Sequence, residues 1–361
     1  DLLQFIREMA TKGVQVRHRP ITGRIRSDPH KSVLEHMHEA LEKVWKDTHR
    51  GRVLLCSAEL QMELEGVIST PQGRVPKQNP DRTLSTEGRF VHDQRLVNAY
   101  GSKEDHPPAL QPKHRELARL ILWWKMRLPG VKVLIAKRDV KDAYKLIWLC
   151  LNDVGLFATE LPGDVAGITG SVLVLYLVLT FGWGGSPGNY MALGFARGQL
   201  FETRRPAMPS WHDDIPFHDK TLMDDTILVE PQIGIRPFLS GHWSETTLRT
   251  MFGPEAVNVS KLEEEGQFDT TSLVWGLAYH TDTDTVSYPE PKIAKLRFLV
   301  NMNQYSWGCV KVTLHDVQVV CGTVQPASVA CPALRPELGA LYGMLKNASG
   351  CVNIPPPEDA K

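Results

Sequence analysis

The sequence has 361 residues and a formal net charge of zero, from 41 basic and 41 acidic side chains. This length can bury a sizeable core, and the neutral balance excludes a protein held on nucleic acid by bulk charge alone, though not one with a local basic groove. Six cysteines without a CxxC motif, and no signal peptide, predict reduced thiols and a cytoplasmic or nuclear, intracellular location. The longest apolar run, Val172 to Phe181, is too short to span a bilayer, so no membrane association is predicted. The run predicts a buried strand instead.

Both ends of the chain are predicted to be extensions. Residues 1–50 are predicted to hold a basic arm and one helix. The arm, residues 17–31, is basic, contains Pro and Gly and lacks periodicity, which favours a flexible linker; a nucleic-acid-binding arm is the alternative. The helix is predicted to start at Ser32, because Glu35 would complete a capping box. Residues 350–361 are predicted to be a flexible tail, and the chain is expected to be a piece of something longer.

The middle of the chain begins with a helix and a strand. His114 to Arg127 has apolar residues at helical spacing and predicts an amphipathic helix with a basic flank. Val131 to Ala136 is apolar and β-prone, and Asp139 follows at its end. Another aspartate, Asp142, comes three residues later, and the aromatic Tyr144 comes soon after it. Alone, this pattern is a weak indication of function.

A glycine-dense turn and a pair of adjacent acids come next. The turn, Thr180 to Gly188, is predicted to open a helix from Asn189 to about Glu202. Asp224 and Asp225 lie within the apolar, strand-like run 222–229, where a hairpin would turn. Adjacent carboxylates are costly to bury unless a cation neutralises them, which indicates a divalent metal site. A solvated turn is the alternative for an isolated pair of this kind.

The last part of the chain is predicted to combine a hairpin with helices. A helix is expected around Thr246 to Met251. The strands Leu273 to Tyr279 and Thr285 to Tyr288 are predicted to form a hairpin. From Pro291 to Leu345 the periodicity is helical with proline breaks, and Pro326 falls inside a stretch that should be helical.

The order and separation of three motifs resemble those in the reverse transcriptases of retroelements. The motifs are Asp139 with Tyr144, the glycine turn, and the strand that carries Asp224 and Asp225. The resemblance covers roughly residues 60–345, and in finer detail it is to retrotransposons of the tyrosine-recombinase and related types. It implies an α+β right-hand polymerase with fingers, a ferredoxin-like antiparallel palm and a helical thumb or connection. The implied ranges are fingers at about 51–128 and 150–182, palm in the remainder of 51–290, a primer-grip hairpin at 273–288 and a thumb or connection at 291–349.

The resemblance implies RNA-directed DNA synthesis. In that reaction the primer 3′-hydroxyl attacks the α-phosphate, and two Mg²⁺ ions, with Mn²⁺ as the alternative, activate the nucleophile and stabilise the leaving pyrophosphate. Asp139 and Asp224 match the family's principal metal ligands, and Asp225 matches its third acid. Lys261 matches a candidate general acid toward pyrophosphate; an exposed lysine at a helix end is the alternative.

The resemblance also implies substrate contacts. Tyr144 matches an aromatic ring that would clash with a ribose 2′-hydroxyl and so select deoxynucleotides; a core tyrosine is the alternative. Lys77 and Arg89 would clamp the β- and γ-phosphates, and the backbone around Asp142 would meet the triphosphate. The full set of implied substrate-binding residues is Lys77, Arg89, Asp142, Ala143, Tyr144, Phe181, Gly182, Gly185 and Ser186. The implied primer grip is Trp275, Gly276 and Tyr279, with core packing as an equal explanation for the tryptophan.

The expected partners are an RNA or DNA template with a primer, deoxynucleoside triphosphates, and adjacent ribonuclease H and recombinase or integrase regions of a longer polyprotein. One departure from the family is Leu222, where most members have an aromatic residue. Three alternatives are therefore open: a catalytically decayed, nucleic-acid-binding remnant of the same fold, an RNA-making polymerase, and a metal-dependent nuclease.

Overall fold

The structure is a computed structural model, and it describes residues 2–21, 24–63, 65–78, 84–164, 167, 169–206, 214–302, 311–346 and 351–353. The chain forms two compact units, each built from separate stretches. Unit 1 consists of Asp1–Pro112, Lys137–Thr226 and Leu239–Gly266, and unit 2 consists of Lys113–Ala136, Ile227–Phe238 and Gln267–Lys361. Most of the predicted tail, 354–361 and residue 350, lies outside the described residues.

Helices and strands are mixed along the chain, which confirms the α+β prediction; the finger, palm and thumb assignments stay predictions. The described α-helices are α1 Leu2–Lys12, α2 Lys31–Leu34, α3 Met37–His49, α4 Arg95–Tyr100, α5 His114–Arg127, α6 Ser186–Glu202, α7 Arg236–Phe252, α8 Val259–Glu265, α9 Glu290–Val300, α10 Leu314–Ala330 and α11 Arg335–Leu345. The described strands are β1 Val53–Ser57, β2 Gln72–Gln78, β3 Leu84–His92, β4 Val133–Asp139, β5 Ala158–Pro162, β6 Ser171–Tyr176, β7 Asp219–Leu222, β8 Asp225–Pro231, β9 Thr271–Val274, β10 Leu277–His280, β11 Thr285–Ser287, β12 Lys311–Thr313 and β13 Cys351–Asn353.

Unit 1 contains an antiparallel sheet in the order β1-β6-β5 and the separate hairpin β2-β3. The central strand β6 comes from the apolar run that the sequence analysis predicts as a buried strand. Val172, Leu173 and Val174 are buried, which confirms that prediction. A strand that is apolar on both faces is stable only when both faces are covered, and β6 accordingly lies in the core of unit 1.

A second sheet, in the order β4-β8-β7, carries the acids. Met223 and Asp224 form the turn between β7 and β8, and Met223 has a φ of +55°, a left-handed conformation that tight hairpin turns require. The hairpin predicted at the acidic pair is therefore confirmed. β4 and β8 continue from unit 1 into unit 2, and their acid-bearing ends, at Asp139 and Asp225, belong to unit 1.

A buried arginine fastens the β7-β8 hairpin to α6. Arg197 is 0% exposed, and its guanidinium forms an ion pair with Asp219 at the start of β7. It also donates to the hydroxyl oxygens of Thr221, at 2.5 Å, and Thr226, at 3.3 Å. Since a buried charge is tolerated only when it is paired and hydrogen-bonded, this network couples the hairpin geometry to the stability of unit 1.

The N-terminal helices differ from the prediction of one helix starting at Ser32. The structure has α1 before the basic arm, and it divides the predicted helix into α2 and α3. The ring of His30 accepts a hydrogen bond from the backbone N–H of Ser32 at 3.2 Å, so His30 caps α2 and Glu35 lies at its C-terminal end. The predicted capping box is therefore wrong, because the helix begins before Ser32, and the Glu35 N–H that the serine would have served donates to the carbonyl oxygen of Lys31 at 3.0 Å.

The basic arm is not a flexible linker where the structure describes it. Arg17 donates from Nη1 to the carbonyl oxygen of Asp105 at 2.9 Å, and Arg26 forms an ion pair with Glu160, which is 4% exposed. Both acceptors belong to unit 1, as the arm does. The linker prediction fails because partners distant in the sequence bind the guanidinium groups, and composition does not reveal such partners.

In unit 2, α5 has the predicted bounds. Its buried residues are Leu117, Ile121 and Trp124, and the indole N–H of Trp124 donates to the carbonyl oxygen of Val229 at 3.1 Å. The helix prediction is confirmed. Among the described helices of either unit, none is long and apolar enough to cross a membrane.

The predicted two-stranded hairpin at 273–288 is instead a three-stranded sheet in the order β11-β10-β9. The expected strand Leu273 to Tyr279 is interrupted by a tight turn, where Trp275 and Gly276 have φ values of +47° and +87°. The glycine makes the reversal possible because it adopts positive φ without a steric penalty. Pro326 lies inside α10, as predicted.

We expect Arg197→Met to destabilise unit 1 by about 3–5 kcal/mol, because it leaves the buried Asp219 carboxylate without its counter-charge. Chemical denaturation measures this loss. Lys46→Met, which removes an exposed ion pair with Glu42, is the control and should change stability by less than about 1 kcal/mol. An Arg197→Met/Asp219→Leu double variant should recover part of the loss. Equal stability of Arg197→Met and Lys46→Met would contradict the proposed coupling.

Candidate active site

The β7-β8 turn brings two distant parts of unit 1 together. Val140, directly after β4, donates its backbone N–H to the carbonyl oxygen of Asp224 at 3.0 Å. The next residue, Lys141, donates to the carbonyl oxygen of Ala256 at 2.8 Å. The end of β4 is thus fixed between the acidic turn and the loop before α8. This arrangement places Asp139 beside Asp224.

Both carboxylate oxygens of Asp139 accept hydrogen bonds. Asn258 donates from Nδ2 to Oδ2 at 2.8 Å, and Lys261 donates from Nζ to Oδ1 at 2.5 Å. The backbone N–H of Asn258 also donates to the carbonyl oxygen of Asp139 at 3.0 Å. Asp139 is only 8% exposed, and a carboxylate buried to this extent needs such partners.

The other two acids lie within the same electrostatic field. Burial raises the pKa of Asp224, and the charge of Asp139 raises it further, whereas Lys261 and Arg89 act in the opposite direction. Burial also raises the pKa of Asp225, and the charge of Asp224 adds to this effect. Burial alone would lower the pKa of Lys261, but the hydrogen bond to Asp139 and the nearby acids raise it overall. Lys261 is therefore a counter-charge to three carboxylates.

These acids suit a divalent cation whose shell is completed by other ligands. In the part of the chain that the structure describes, no group of three or more His, Cys, Asp or Glu side chains could hold a metal ion. Mg²⁺, however, is usually held by one or two carboxylates together with phosphate oxygens and water. A cation would also offset the two effects that raise the pKa values of Asp224 and Asp225, which are burial and, to a smaller extent, repulsion between the acids. The donor set fits Mg²⁺ with phosphate oxygens as further ligands.

Tyr144 lies at the edge of the acidic region. Its ring centroid is 4.8 Å from that of Phe181 and 5.8 Å from that of Tyr190. Burial, together with the charge of Asp224, raises the pKa of Tyr144 to about 12, so its hydroxyl stays protonated at neutral pH. Ala143, directly before it, is buried. Tyr144 therefore packs partly on the core and is close to Asp224, while the Phe181 ring is exposed.

The glycine turn is close-packed against neighbouring backbone. A Cβ on Gly182 would lie 2.2 Å from the carbonyl oxygen of His92, and the residue has a φ of +110°. A Cβ on Gly188 would lie 1.7 Å from another backbone carbonyl oxygen. Asn98 fastens the turn, because its Nδ2 donates to the Gly182 carbonyl at 2.9 Å and its Oδ1 accepts from the Gly184 N–H at 2.8 Å. Glycine is therefore required by the packing of the turn itself.

Two of the predicted substrate contacts, Gly185 and Ser186, also have contacts within the turn. A Cβ on Gly185 would lie 2.5 Å from the indole of Trp183. Ser186 is 0% exposed, and its hydroxyl donates to the carbonyl oxygen of Thr180 at 2.8 Å. The hydroxyl of Ser186 is therefore engaged within the turn, and a role of this residue in substrate binding stays a prediction.

Lys77 and Arg89 lie on the two strands of the β2-β3 hairpin. Arg89 is exposed, and its charge lowers the pKa of Asp224, so the structure brings it toward the acids. The Nζ of Lys77 instead forms an ion pair with Glu87 at 2.7 Å. The structure therefore connects Arg89 with the acidic region, while the described contact of Lys77 is across its own hairpin.

Glu39 on α3 anchors this hairpin. Its carboxylate accepts from the backbone N–H of Gly88 at 2.7 Å, from Nε of Arg74 at 2.6 Å and from Nζ of Lys43 at 2.7 Å. Burial opposes ionisation, but these donors outweigh it and lower the pKa of Glu39 to about 2. The base of the hairpin that carries Arg89 is therefore held by a charged carboxylate at all ordinary pH values.

Asp142 lies at a strained backbone position with an engaged side chain. Its φ is +58°, and it precedes the 3-10 turn Ala143–Leu146. Its carboxylate pairs with Nη1 of Arg52 at 2.8 Å and with Nη1 of Arg50 at 3.1 Å. Burial acts against this charge, but the arginines lower the pKa of Asp142 overall. The Asp142 carboxylate is thus engaged by the two arginines, and the predicted nucleotide contact through the backbone stays a prediction.

The predicted primer-grip residues lie in unit 2 and surround His114. The Tyr279 hydroxyl is 2.8 Å from Nδ1 of His114, and the Trp275 ring lies 5.6 Å from the same imidazole. The indole N–H of Trp275 is buried and has no hydrogen-bond partner among the described residues. Lys292 donates to the carbonyl oxygen of Gly276 at 3.1 Å. The role of these residues in holding a primer stays a prediction.

Sequence reasoning missed three residues that support the site. Asn258 has a recognisable signal, since an Asn directly before a helical segment is a preferred N-cap, and its Oδ1 accepts from the backbone N–H of Lys261 at 3.4 Å. Glu39 and Arg197 carry no such signal, because their partners are distant in the sequence.

We expect Asp225→Asn to raise the melting temperature in metal-free buffer at pH 7. The raised pKa of Asp225 means that its ionisation opposes folding, so native stability falls as pH rises through the folded-state pKa. The advantage of the variant should shrink as the pH falls through the folded-state pKa of Asp225, because the carboxyl then becomes protonated. Asp164→Asn, at an exposed carboxylate, is the control and should change nothing. A lower melting temperature for Asp225→Asn would contradict the electrostatic account.

No protein-family model matches the sequence, and a search of curated proteins finds no match. Solved structures do match. The foamy viral protease-reverse transcriptase in complex with dsDNA aligns with a TM-score of 0.60 at 14% identity, over 96% of this chain and 59% of that chain. The complex of that protein with an RNA/DNA hybrid aligns with a TM-score of 0.58 at 15% identity, over 98% of this chain and 38% of that chain.

A third structure, the foamy viral protease-reverse transcriptase dRH in complex with ds DNA, aligns with a TM-score of 0.56 at 14% identity, over 98% of this chain and 50% of that chain. This chain therefore spans between 38% and 59% of the length of these three structures. At such low identity the match is one of fold, and the chain has a reverse-transcriptase-like fold.

Proposed function

We propose that this chain is an RNA-directed DNA polymerase that adds deoxynucleotides to a primer. The observation that carries the proposal is the convergence of Asp139, Asp224 and Asp225, from two strands of one sheet, within a reverse-transcriptase-like fold. The matched foamy viral protein is bound to DNA in two structures and to an RNA/DNA hybrid in the third. A template with a primer is therefore the expected partner, and deoxynucleoside triphosphates are the expected substrates.

Each side chain of the site has a distinct task in this proposal. Asp139 and Asp224 would hold two Mg²⁺ ions, with Asp225 as the third acid. The ions, when bound, supply activation of the primer hydroxyl and neutralisation of the leaving pyrophosphate. Lys261 would hold a proton for the pyrophosphate oxygen. Arg89, exposed and close enough to act on Asp224, would bind the outer phosphates in the fork geometry that guanidinium offers.

Sugar selection is assigned to Tyr144. Its ring packs on Phe181 and Tyr190 and is close to Asp224, so a sugar beside the acids would meet a rigid aromatic edge. A 2′-hydroxyl would then clash with the ring, whereas a deoxyribose would fit.

At a finer level, we propose that unit 1 includes the fingers and the acid-bearing part of the palm, and that the helices after residue 291 serve as thumb or connection. The parent element would be a retrotransposon of the tyrosine-recombinase or a related type, with ribonuclease H and recombinase or integrase regions in the same polyprotein. A decayed, nucleic-acid-binding remnant is the second candidate, favoured by Leu222 in place of an aromatic residue.

A primer-extension assay on an RNA template, with Mg²⁺ and the four deoxynucleotides, tests the proposed function. We expect extension by the wild type and a loss of at least about a thousandfold for Asp224→Asn, because several kcal/mol of transition-state stabilisation would be removed. Asp164→Asn is the matched control and should extend normally. A wild type that binds template–primer without extending it would show that the decayed remnant is correct. Degradation of the template without extension would favour the nuclease.

Replacing Tyr144 tests sugar selection. Tyr144→Ala should lower the preference for deoxynucleotides over ribonucleotides by roughly ten- to two-hundredfold, the range that steric exclusion of one small group achieves. Tyr144→Phe keeps the ring and should keep the preference. The measurement is the ratio of kcat/KM for dNTP and rNTP incorporation by each variant. An unchanged ratio in Tyr144→Ala would show that Tyr144 is a packing residue, and wild-type preference for ribonucleotides would favour an RNA-making polymerase.

A further inference from the structure

The two carboxylate oxygens of Asp139 have partners of very different rigidity. Asn258 is held at three points: its backbone N–H donates to the Asp139 carbonyl at 3.0 Å, its Nδ2 donates to Asp139 Oδ2 at 2.8 Å, and its Oδ1 accepts from the Lys261 N–H at 3.4 Å. A residue whose backbone and side-chain amide are both hydrogen-bonded in this way has little freedom to move. The bond on Oδ2 is therefore a permanent feature of the site.

The partner of Oδ1 is able to leave. Lys261 reaches Oδ1 at 2.5 Å through a side chain that is 44% exposed, on a flexible four-carbon stem. A lysine ammonium is a compact point charge, so it can fill the place of a cation near a carboxylate without imposing a geometry. Moving this ammonium into solvent requires no change in the backbone of α8.

We propose that Asn258 is a positioning residue that fixes Oδ2 of Asp139, and that Lys261 occupies Oδ1 until the divalent cation replaces it there. This inference rests on the proposed function, which supplies the cation. The exchange keeps Asp139 neutralised throughout, since one cationic group leaves as another arrives. It also frees the Lys261 ammonium only in molecules that have bound the cation, which is when a proton donor to pyrophosphate is useful.

The inference gives the two neighbours of Asp139 opposite effects on metal binding. Removing the competitor in Lys261→Met should tighten Mn²⁺ binding by about tenfold, the worth of one charge-assisted hydrogen bond. Removing the brace in Asn258→Ser should weaken Mn²⁺ binding by about ten- to a hundredfold, as for other residues that orient metal ligands. The measurement is a Mn²⁺ titration of the full chain, without nucleotide, followed by electron paramagnetic resonance of the free ion.

Two matched controls separate these effects from bulk electrostatics and from helix capping. Lys137 also acts on Asp225 by its charge but pairs with Glu265, so Lys137→Met measures the effect of a lost cation without a freed Oδ1. Serine is as good an N-cap as asparagine yet too short to reach Asp139, so the melting temperature of Asn258→Ser should stay near the wild-type value. Asn152→Ser, at an exposed asparagine, should leave metal binding unchanged.

Equal Mn²⁺ affinities for Lys261→Met and Lys137→Met would overturn the exchange at Oδ1. Wild-type affinity in Asn258→Ser would overturn the positioning role. These readouts do not depend on polymerase activity. If the chain fails to extend primers, but Lys261→Met tightens and Asn258→Ser weakens Mn²⁺ binding, the proposed function alone is refuted. If the chain extends primers and the two variants bind Mn²⁺ like the wild type, this inference alone is refuted.

Discussion

The hydrogen bond from Val140 to the carbonyl oxygen of Asp224 joins the end of β4 to the β7-β8 turn. It is a backbone contact, so it holds whatever the ionisation of the side chains. It brings together acids whose charges repel each other, and this repulsion adds to the effect of burial, which is the main cause of the raised pKa values of Asp224 and Asp225. Arg197, buried behind the hairpin, keeps β7 in position for this contact. The candidate site depends on these two restraints more than on any single carboxylate.

The charges near the site are arranged to make this repulsion tolerable. Lys261 neutralises Asp139 directly, and Arg89 offsets part of the charge of Asp224 from the neighbouring hairpin. Glu39 holds that hairpin in place through three donors. Active sites commonly trade stability for clustered charge, and the raised pKa values of the acid pair are consistent with the proposed cation-binding role.

Local patterns predict local features of this chain well. The apolar spacing of His114 to Arg127 predicts the bounds of α5, and the acidic pair predicts its hairpin turn. The order of motifs indicates a reverse-transcriptase-like fold, which the structural matches confirm at the level of fold. Such features follow from residues that are neighbours in the chain, or from motifs whose order is itself a property of the sequence.

Features that depend on distant partners could not be predicted. The arginines of the N-terminal arm bind acceptors that no nearby residue reveals, and the burial of Ser186 depends on packing that the surrounding sequence does not show. The turn at Trp275 and Gly276 divides an apolar run that reads as one strand, since a single glycine permits either continuation or reversal. Asn258 lay within reach of sequence reasoning as a helix cap, but its bond to Asp139 did not.

The central claim is that Asp139 and Asp224 share a divalent cation. Crystals of the chain with template–primer, a non-hydrolysable deoxynucleoside triphosphate and Mn²⁺ would test it through anomalous scattering at the manganese edge. The account predicts a manganese peak within coordination distance of Oδ1 of Asp139 and of the Asp224 carboxylate, with Lys261 displaced from Asp139. A bound nucleotide without manganese at these oxygens, or with Lys261 still paired to Asp139, would contradict it.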